Sequence, residues 1–153
     1  MKSLLLLLMI PFSSLINTGD EFIDPTGTYI LKGSSEKNKI VSHSGEIRVK
    51  LLAHNKVAIS FYINKGYPGY ESVSFVDTLV YDDNHFVRYK PSPNSDCTVL
   101  FLFYRKGAEL QQVYSNPESG CNFGNGILIS TVFKKFSDEE PVIQDLSAHG
   151  VTN

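Results

Sequence analysis

The chain has no tryptophan, two methionines and only two cysteines among its 153 residues. Two cysteines allow one disulfide, Cys97 with Cys121, and no thiol is left over to compete for either. They are too far apart for the close Cys-x-x-Cys spacing of redox-active pairs, so a structural bridge is expected. There is no excess of either charge: 16 acidic and 14 basic side chains give a formal net charge of −2. No basic stripe with interleaved aromatics exists. Phosphate neutralisation by a nucleic-acid partner, or attraction to an anionic membrane surface, has nothing to act through. Helical spacing is scarce, and there is no internal repeat. No pair of histidines, cysteines or carboxylates has a recognised zinc spacing.

Long apolar runs are also lacking, with one exception at the N-terminus. Lys2 precedes an apolar core from Leu4 to Ile10, then Pro11, Ser13 and Ser14 follow. That order is a secretory signal peptide, expected to occupy residues 1–19. The run stops well short of the roughly 20 residues that a membrane-spanning helix needs. With the cysteine pair, the leader implies a secreted or periplasmic protein in an oxidising compartment. What remains is one domain's worth of chain: residues 20–137 as a near-neutral body, then 138–153 as an acidic, loosely ordered tail.

The body alternates between apolar and polar residues. Ile47, Val49 and Leu51 oppose Glu46, Arg48 and Lys50; Val57, Ile59, Phe61 and Ile63 oppose Lys56, Ala58, Ser60 and Tyr62. Period-2 patterns of this kind are strands with one buried and one wetter face. Further strands are expected over 27–32, 72–81, 85–90, 98–104, 108–115 and 126–135, with turns at Asp82-Asp83-Asn84 and Arg105-Lys106-Gly107. Asp77 interrupts the apolar side of the fourth. The strand from Thr98 is apolar on both faces and reads as central. Eight short strands joined by tight turns make an all-β fold: a single antiparallel eight-stranded barrel, with a sandwich as the alternative. An eight-stranded barrel holds either its own side chains or one small ligand.

The residues able to do chemistry are few. His43, His54, His85 and His149 are scattered over loops and tail, and no nucleophile–base–orienter set can be assembled. No cofactor, no metal and no catalytic residue is expected, and a hydrolase is the third-ranked reading. The loop Lys65-Gly66-Tyr67-Pro68-Gly69-Tyr70-Glu71 is the candidate binding loop, because Tyr67 and Tyr70, framed by Pro68 and Gly69, present amphipathic rings outside the core pattern. Arg88 and Tyr89 lie near the same expected end. Residues 138–153 are expected to be dispensable for folding.

Cys97-Thr98 opening an apolar strand, with Cys121-Asn122-Phe123-Gly124-Asn125-Gly126 ahead of a closing strand, resembles small exported disulfide-bonded proteins of Gram-negative bacteria whose function is largely unassigned. The likeness spans roughly residues 97–135. It implies compartment and fold but no activity, with Gly124 and Gly126 as structural turn residues and Phe123 plugging one end of the core. Gly27-Thr28-Tyr29 resembles more weakly the Gly-x-Trp start of lipocalins, with Tyr29 in place of tryptophan. That resemblance implies a lipocalin-like carrier of a small apolar ligand. The alternative is a protein-contact module, such as an inhibitor of an envelope-attacking hydrolase. Both are exported, non-catalytic binding proteins with no nucleic-acid partner and no stable membrane insertion after leader cleavage.

Overall fold

The computed structural model describes residues 21–53, 55–93, 95–114, 116, 121 and 130–146. Among these there is no helix. The strands are β1 (Gly27–Leu31), β2 (Ser35–Glu36), β3 (Lys39–Ile40), β4 (Ser44–Ala53), β5 (Lys56–Asn64), β6 (Ser72–Val80), β7 (Phe86–Tyr89), β8 (Cys97–Tyr104), β9 (Gly107–Tyr114) and β10 (Ser130–Ser137). Eight of them form one antiparallel sheet in the order β6-β5-β4-β1-β10-β9-β8-β7. The sheet curls into a nearly closed barrel. Among the described residues its two outer strands meet at a single bridge, Tyr81 with Val87.

Alternation decides which residues face in. Ile47 and Val49 of β4, Val57, Ile59, Phe61 and Ile63 of β5, and Val99, Phe101 and Phe103 of β8 are all buried in one core. A one-residue slip would turn each set outward, so burial pins the register. Aromatic rings fill the middle. Phe61 lies 5.3 Å from Phe75, 5.4 Å from Phe101 and 6.3 Å from Phe133, centroid to centroid. Tyr29 and Phe103 are 5.4 Å apart. Edge-on and tilted pairs at these separations add to the stabilisation from burial.

One end of the barrel is closed by the segment preceding β1. The Tyr81 hydroxyl donates to the Ile23 carbonyl at 2.7 Å, and the Tyr29 hydroxyl to the Pro25 carbonyl at 2.8 Å. Phe22 packs edge-on against Tyr81, and Glu21 pairs with Arg105. At the opposite end Cys97 and Cys121 are bonded, their Cα atoms 4.9 Å apart. Cys97 faces Tyr114 across the β8–β9 hairpin, so the bridge ties the chain beyond β9 to the base of that hairpin.

Three expectations change. The two-stranded hairpin β2–β3 adds strands where the sequence pattern shows none. The strand from Thr98 is not covered on both faces: β8 lies between β7 and β9, and Leu102 on its outer side is exposed. The largest correction concerns the tail, expected to be loose from residue 138. As far as Leu146 it is packed along the outside of β4 and β5. Glu140 pairs with Lys50 at 2.5 Å, the Val142 carbonyl accepts from Arg48 at 3.4 Å, and the Gln144 N–H donates to Ser60 Oγ at 2.9 Å. Ser60 belongs to the outward set of β5 and yet is fully buried, and Leu146 is buried too. The outer faces of β4 and β5 supply hydrogen-bond partners that a polar segment can use.

Candidate functional site

The loop joining β5 to β6 carries Tyr67 and Tyr70, both about half exposed at 46% and 51%. Its backbone is held at nearly every residue. Lys65 N–H donates to the Glu71 carbonyl at 2.8 Å, Tyr70 N–H to the Gly66 carbonyl at 2.8 Å, and Tyr67 N–H to the Ile40 carbonyl on β3 at 2.7 Å. The Asn64 side chain clamps the loop from both sides, accepting from Gly66 N–H at 2.7 Å and donating to the Tyr70 carbonyl at 2.9 Å. An ion pair of Lys65 with Glu71 spans its base at 3.7 Å.

Two residues of the loop adopt the left-handed backbone region. Gly66 has φ +82°, and a Cβ there would meet the carbonyl oxygens of Ile40 and Ser42, each at 2.8 Å. Only glycine fits. Tyr70 has φ +50°, a conformation that costs a bulky residue free energy and persists where its surroundings hold it. The Tyr67–Pro68 peptide bond is cis.

The two rings are T-shaped at 6.1 Å, and the Lys39 ammonium sits 4.3 Å from the centre of the Tyr67 ring. The β2–β3 hairpin is what brings Lys39 there. Its turn residues Lys37 and Asn38 have φ +47° and +61°, the pair of positive values that a tight two-residue hairpin requires. The loop is therefore a rigid platform. Its rings are exposed but already ordered, so a partner meets little conformational entropy cost on docking there.

Other expected site residues are placed differently. Tyr89 does not join the tyrosine pair but stacks on Phe75 at 3.7 Å, nearly parallel, across the gap between β6 and β7. Burial first, and the Asp77 carboxylate second, push its hydroxyl pKa above the usual tyrosine value. Arg88 lies over the Phe86 ring on the outer face. Asp82-Asp83-Asn84 is the expected turn: the Asp82 carboxylate accepts from both the backbone and the side chain of Asn84, which holds its pKa below the usual carboxylate value. No cluster of three or more potential metal ligands occurs among the described residues. Phe123, Gly124 and Gly126, expected as a structural turn, lie outside the described residues.

Sequence reasoning did not find the apolar surface on the outer faces of β8, β9 and β10. Leu102, Val113, Val132 and Phe136 are exposed there, Phe136 by 75%. A groove of about 580 Å³ passes Tyr104, Lys134 and Phe136. The signal was present: Val132 and Phe136 share the outward set of β10 with Lys134, so the strand carries apolar residues on both faces. No family model, curated protein or solved structure matches the chain. The disulfide is consistent with an oxidising, exported compartment.

Proposed function

We propose that this is an exported, non-catalytic protein that acts by contact with another protein, with Tyr67 and Tyr70 as its anchors. The observation that carries the reading is a half-exposed tyrosine pair on a loop locked by backbone and side-chain hydrogen bonds. Tyrosine offers a large amphipathic contact area with few rotatable bonds, which is why it dominates binding energy at protein interfaces. The packing of Phe61, Phe75, Phe101 and Phe133 in the barrel's middle supports this reading over carriage of a small apolar ligand. A carrier needs that space for its cargo. The leader expected from residues 1–19 and the disulfide support a secreted or periplasmic site of action.

A photo-crosslinking residue placed separately at positions 67 and 70 in the producing cells tests the proposal. Discrete protein adducts are expected at both positions and not at exposed Lys56, which lies toward the opposite end. The double change Tyr67→Ala with Tyr70→Ala is expected to leave the fold intact and to weaken the captured complex by more than about 1 kcal/mol. Adducts no stronger than at Lys56, or saturable uptake of an apolar fluorescent dye by the purified protein, would turn the assignment back toward a carrier.

A further inference from the structure

Among the described residues, the gap between β6 and β7 is where the curled sheet does not close. β5 pairs with β6 along the whole length from Lys56–Val80 to Asn64–Ser72. Between β6 and β7, among the described residues, the Tyr81–Val87 bridge is the sole pairing. The phase of the β5–β6 ladder is fixed by the bonds at its two ends, Tyr81 N–H to the Asn55 carbonyl and Lys65 N–H to the Glu71 carbonyl. In an antiparallel pair the bonded positions alternate. Val73, Phe75, Asp77 and Leu79 therefore turn their backbone groups to β5. Ser72, Ser74, Val76 and Thr78 turn theirs to the open edge.

That edge is exposed at its side chains too, with Val76 and Val80 at 46% and 64%. Unpaired strand edges are templates for another chain, and proteins guard them with charge. Here the guard is Asp77, the only charged residue of β6. Its position belongs to the inward set, opposite Ile59, yet it is exposed because the barrel is open beside it. Its carboxylate accepts a hydrogen bond from Thr78 N–H at 2.7 Å, one of the edge donors. Below the opening, the Phe75–Tyr89 stack floors the gap. β6 begins directly after the tyrosine loop, with Ser72 two residues beyond Tyr70 in the chain.

We propose that the open edge of β6 accepts an extended, basic segment of a partner protein as an added β-strand, with a lysine or arginine of that segment set against Asp77. The inference rests on the protein-contact reading and names how such a partner would bind. Only a backbone offers alternate donors and acceptors in register with Ser72, Ser74, Val76 and Thr78. On docking, a carbonyl of the added strand takes the Thr78 N–H, and the released Asp77 carboxylate pairs with the incoming cation. A second copy of this chain fits badly. Two-fold antiparallel pairing centred on Val76 or Thr78 brings the two Asp77 carboxylates near each other, and like charges close across strands are destabilising.

The test uses the full chain with its disulfide formed and a capped peptide of nine residues, the length of β6, alternating valine and lysine. A matched peptide carries glutamate in place of lysine. Binding of the lysine peptide is expected to slow amide exchange at Ser72, Ser74, Val76 and Thr78, with the glutamate peptide weaker. Asp77→Lys is expected to invert the preference, weakening the lysine peptide by up to about fivefold. Glu36→Lys, on the exposed β2, is expected to leave the preference as it is. Unchanged exchange along β6, equal binding of the two peptides, or inversion by Glu36→Lys as well would overturn the proposal, and so would self-association through β6. If adducts form at positions 67 and 70 while β6 stays unprotected, this inference falls and the protein-contact reading stands. If β6 binds the lysine peptide but no adducts form, the tyrosine anchors fall instead.

Discussion

Tyr29 and Tyr81 each keep a hydroxyl inside the barrel by donating it to a carbonyl of the segment before β1. Burial is the main cause that raises both pKa values well above the ordinary tyrosine value of about 10, with neighbouring charges adding to it. The consequence is alkaline instability. Well below pH 10 both hydroxyls are protonated whether the chain is folded or not, so they contribute no pH dependence there. Above about pH 10 the unfolded chain releases these protons while the folded chain retains them, and stability falls as pH rises. The urea midpoint is expected to drop between pH 9 and pH 11 and to drop less in the Tyr29→Phe, Tyr81→Phe double variant. Equal slopes for the two proteins would show that other groups control the alkaline limb. At this scale the sequence was informative where a residue broke a pattern. Asp77 stood out as a charge in an apolar series, and it lies where the barrel is open. The Tyr67–Tyr70 loop stood out through its glycines and proline. Its lock on Ile40 did not, because that bond joins residues far apart in the chain and depends on a hairpin with no glycine in its turn.

Strands declared themselves by alternation, and eight expected strands correspond to the eight of the barrel sheet. β4 and β5 were legible almost to the residue because each has one wholly apolar and one wholly mixed side. The ending of β10 was not: pairing of Thr28 with Ser137 carries it past Lys135. The β2–β3 hairpin was missed because two-residue strands have no period to detect and its Lys37–Asn38 turn lacks the Asn-Gly signal. The tail as far as Leu146 departs from the expected loose segment for a related reason, and residues 147–153 lie outside those described. A segment bound edge-on to a sheet's outer face needs hydrogen-bond partners rather than an apolar stripe, so its composition resembles that of an unbound one. Its docking makes a prediction opposite to dispensability. Truncation after Ser137 strips the cover from Ser60 and removes the burial of Leu146, and it is expected to cost about 2 kcal/mol or more, lowering the melting temperature by several degrees. Leu146→Ala alone is expected to cost about 2 kcal/mol. A truncated chain that melts with the full one would show that the segment contributes nothing.

The whole molecule is fastened differently at its two ends. The end holding Tyr29, Tyr81 and Phe22 is closed by hydrogen bonds and packing from the segment before β1. The other end carries the β2–β3 hairpin, the tyrosine loop, the start of β8 and the disulfide. A covalent tie at the second end has a physical use. Among the described residues β6 and β7 share no pairing beyond the Tyr81–Val87 bridge, so ladder bonds do not hold that part of the barrel shut. The Cys97–Cys121 bond spans 24 residues and limits the chain's freedom chiefly in the unfolded state, which is worth roughly 3–4 kcal/mol in the loop-entropy description. The double change Cys97→Ala, Cys121→Ala is therefore expected to lower stability by about that amount, read as a lower urea midpoint with a steeper slope, because the uncrosslinked unfolded chain exposes more surface. Amide exchange separates this from a local effect. If the bond acts through the unfolded state alone, slowly exchanging amides of β4 and β8 accelerate together. If it also braces the open end of the folded barrel, the amides of β7 and of the first half of β8 accelerate beyond those of β4. The lack of β6–β7 pairing beyond the Tyr81–Val87 bridge leads us to expect the second pattern, and uniform acceleration would show that the seam holds without the bond.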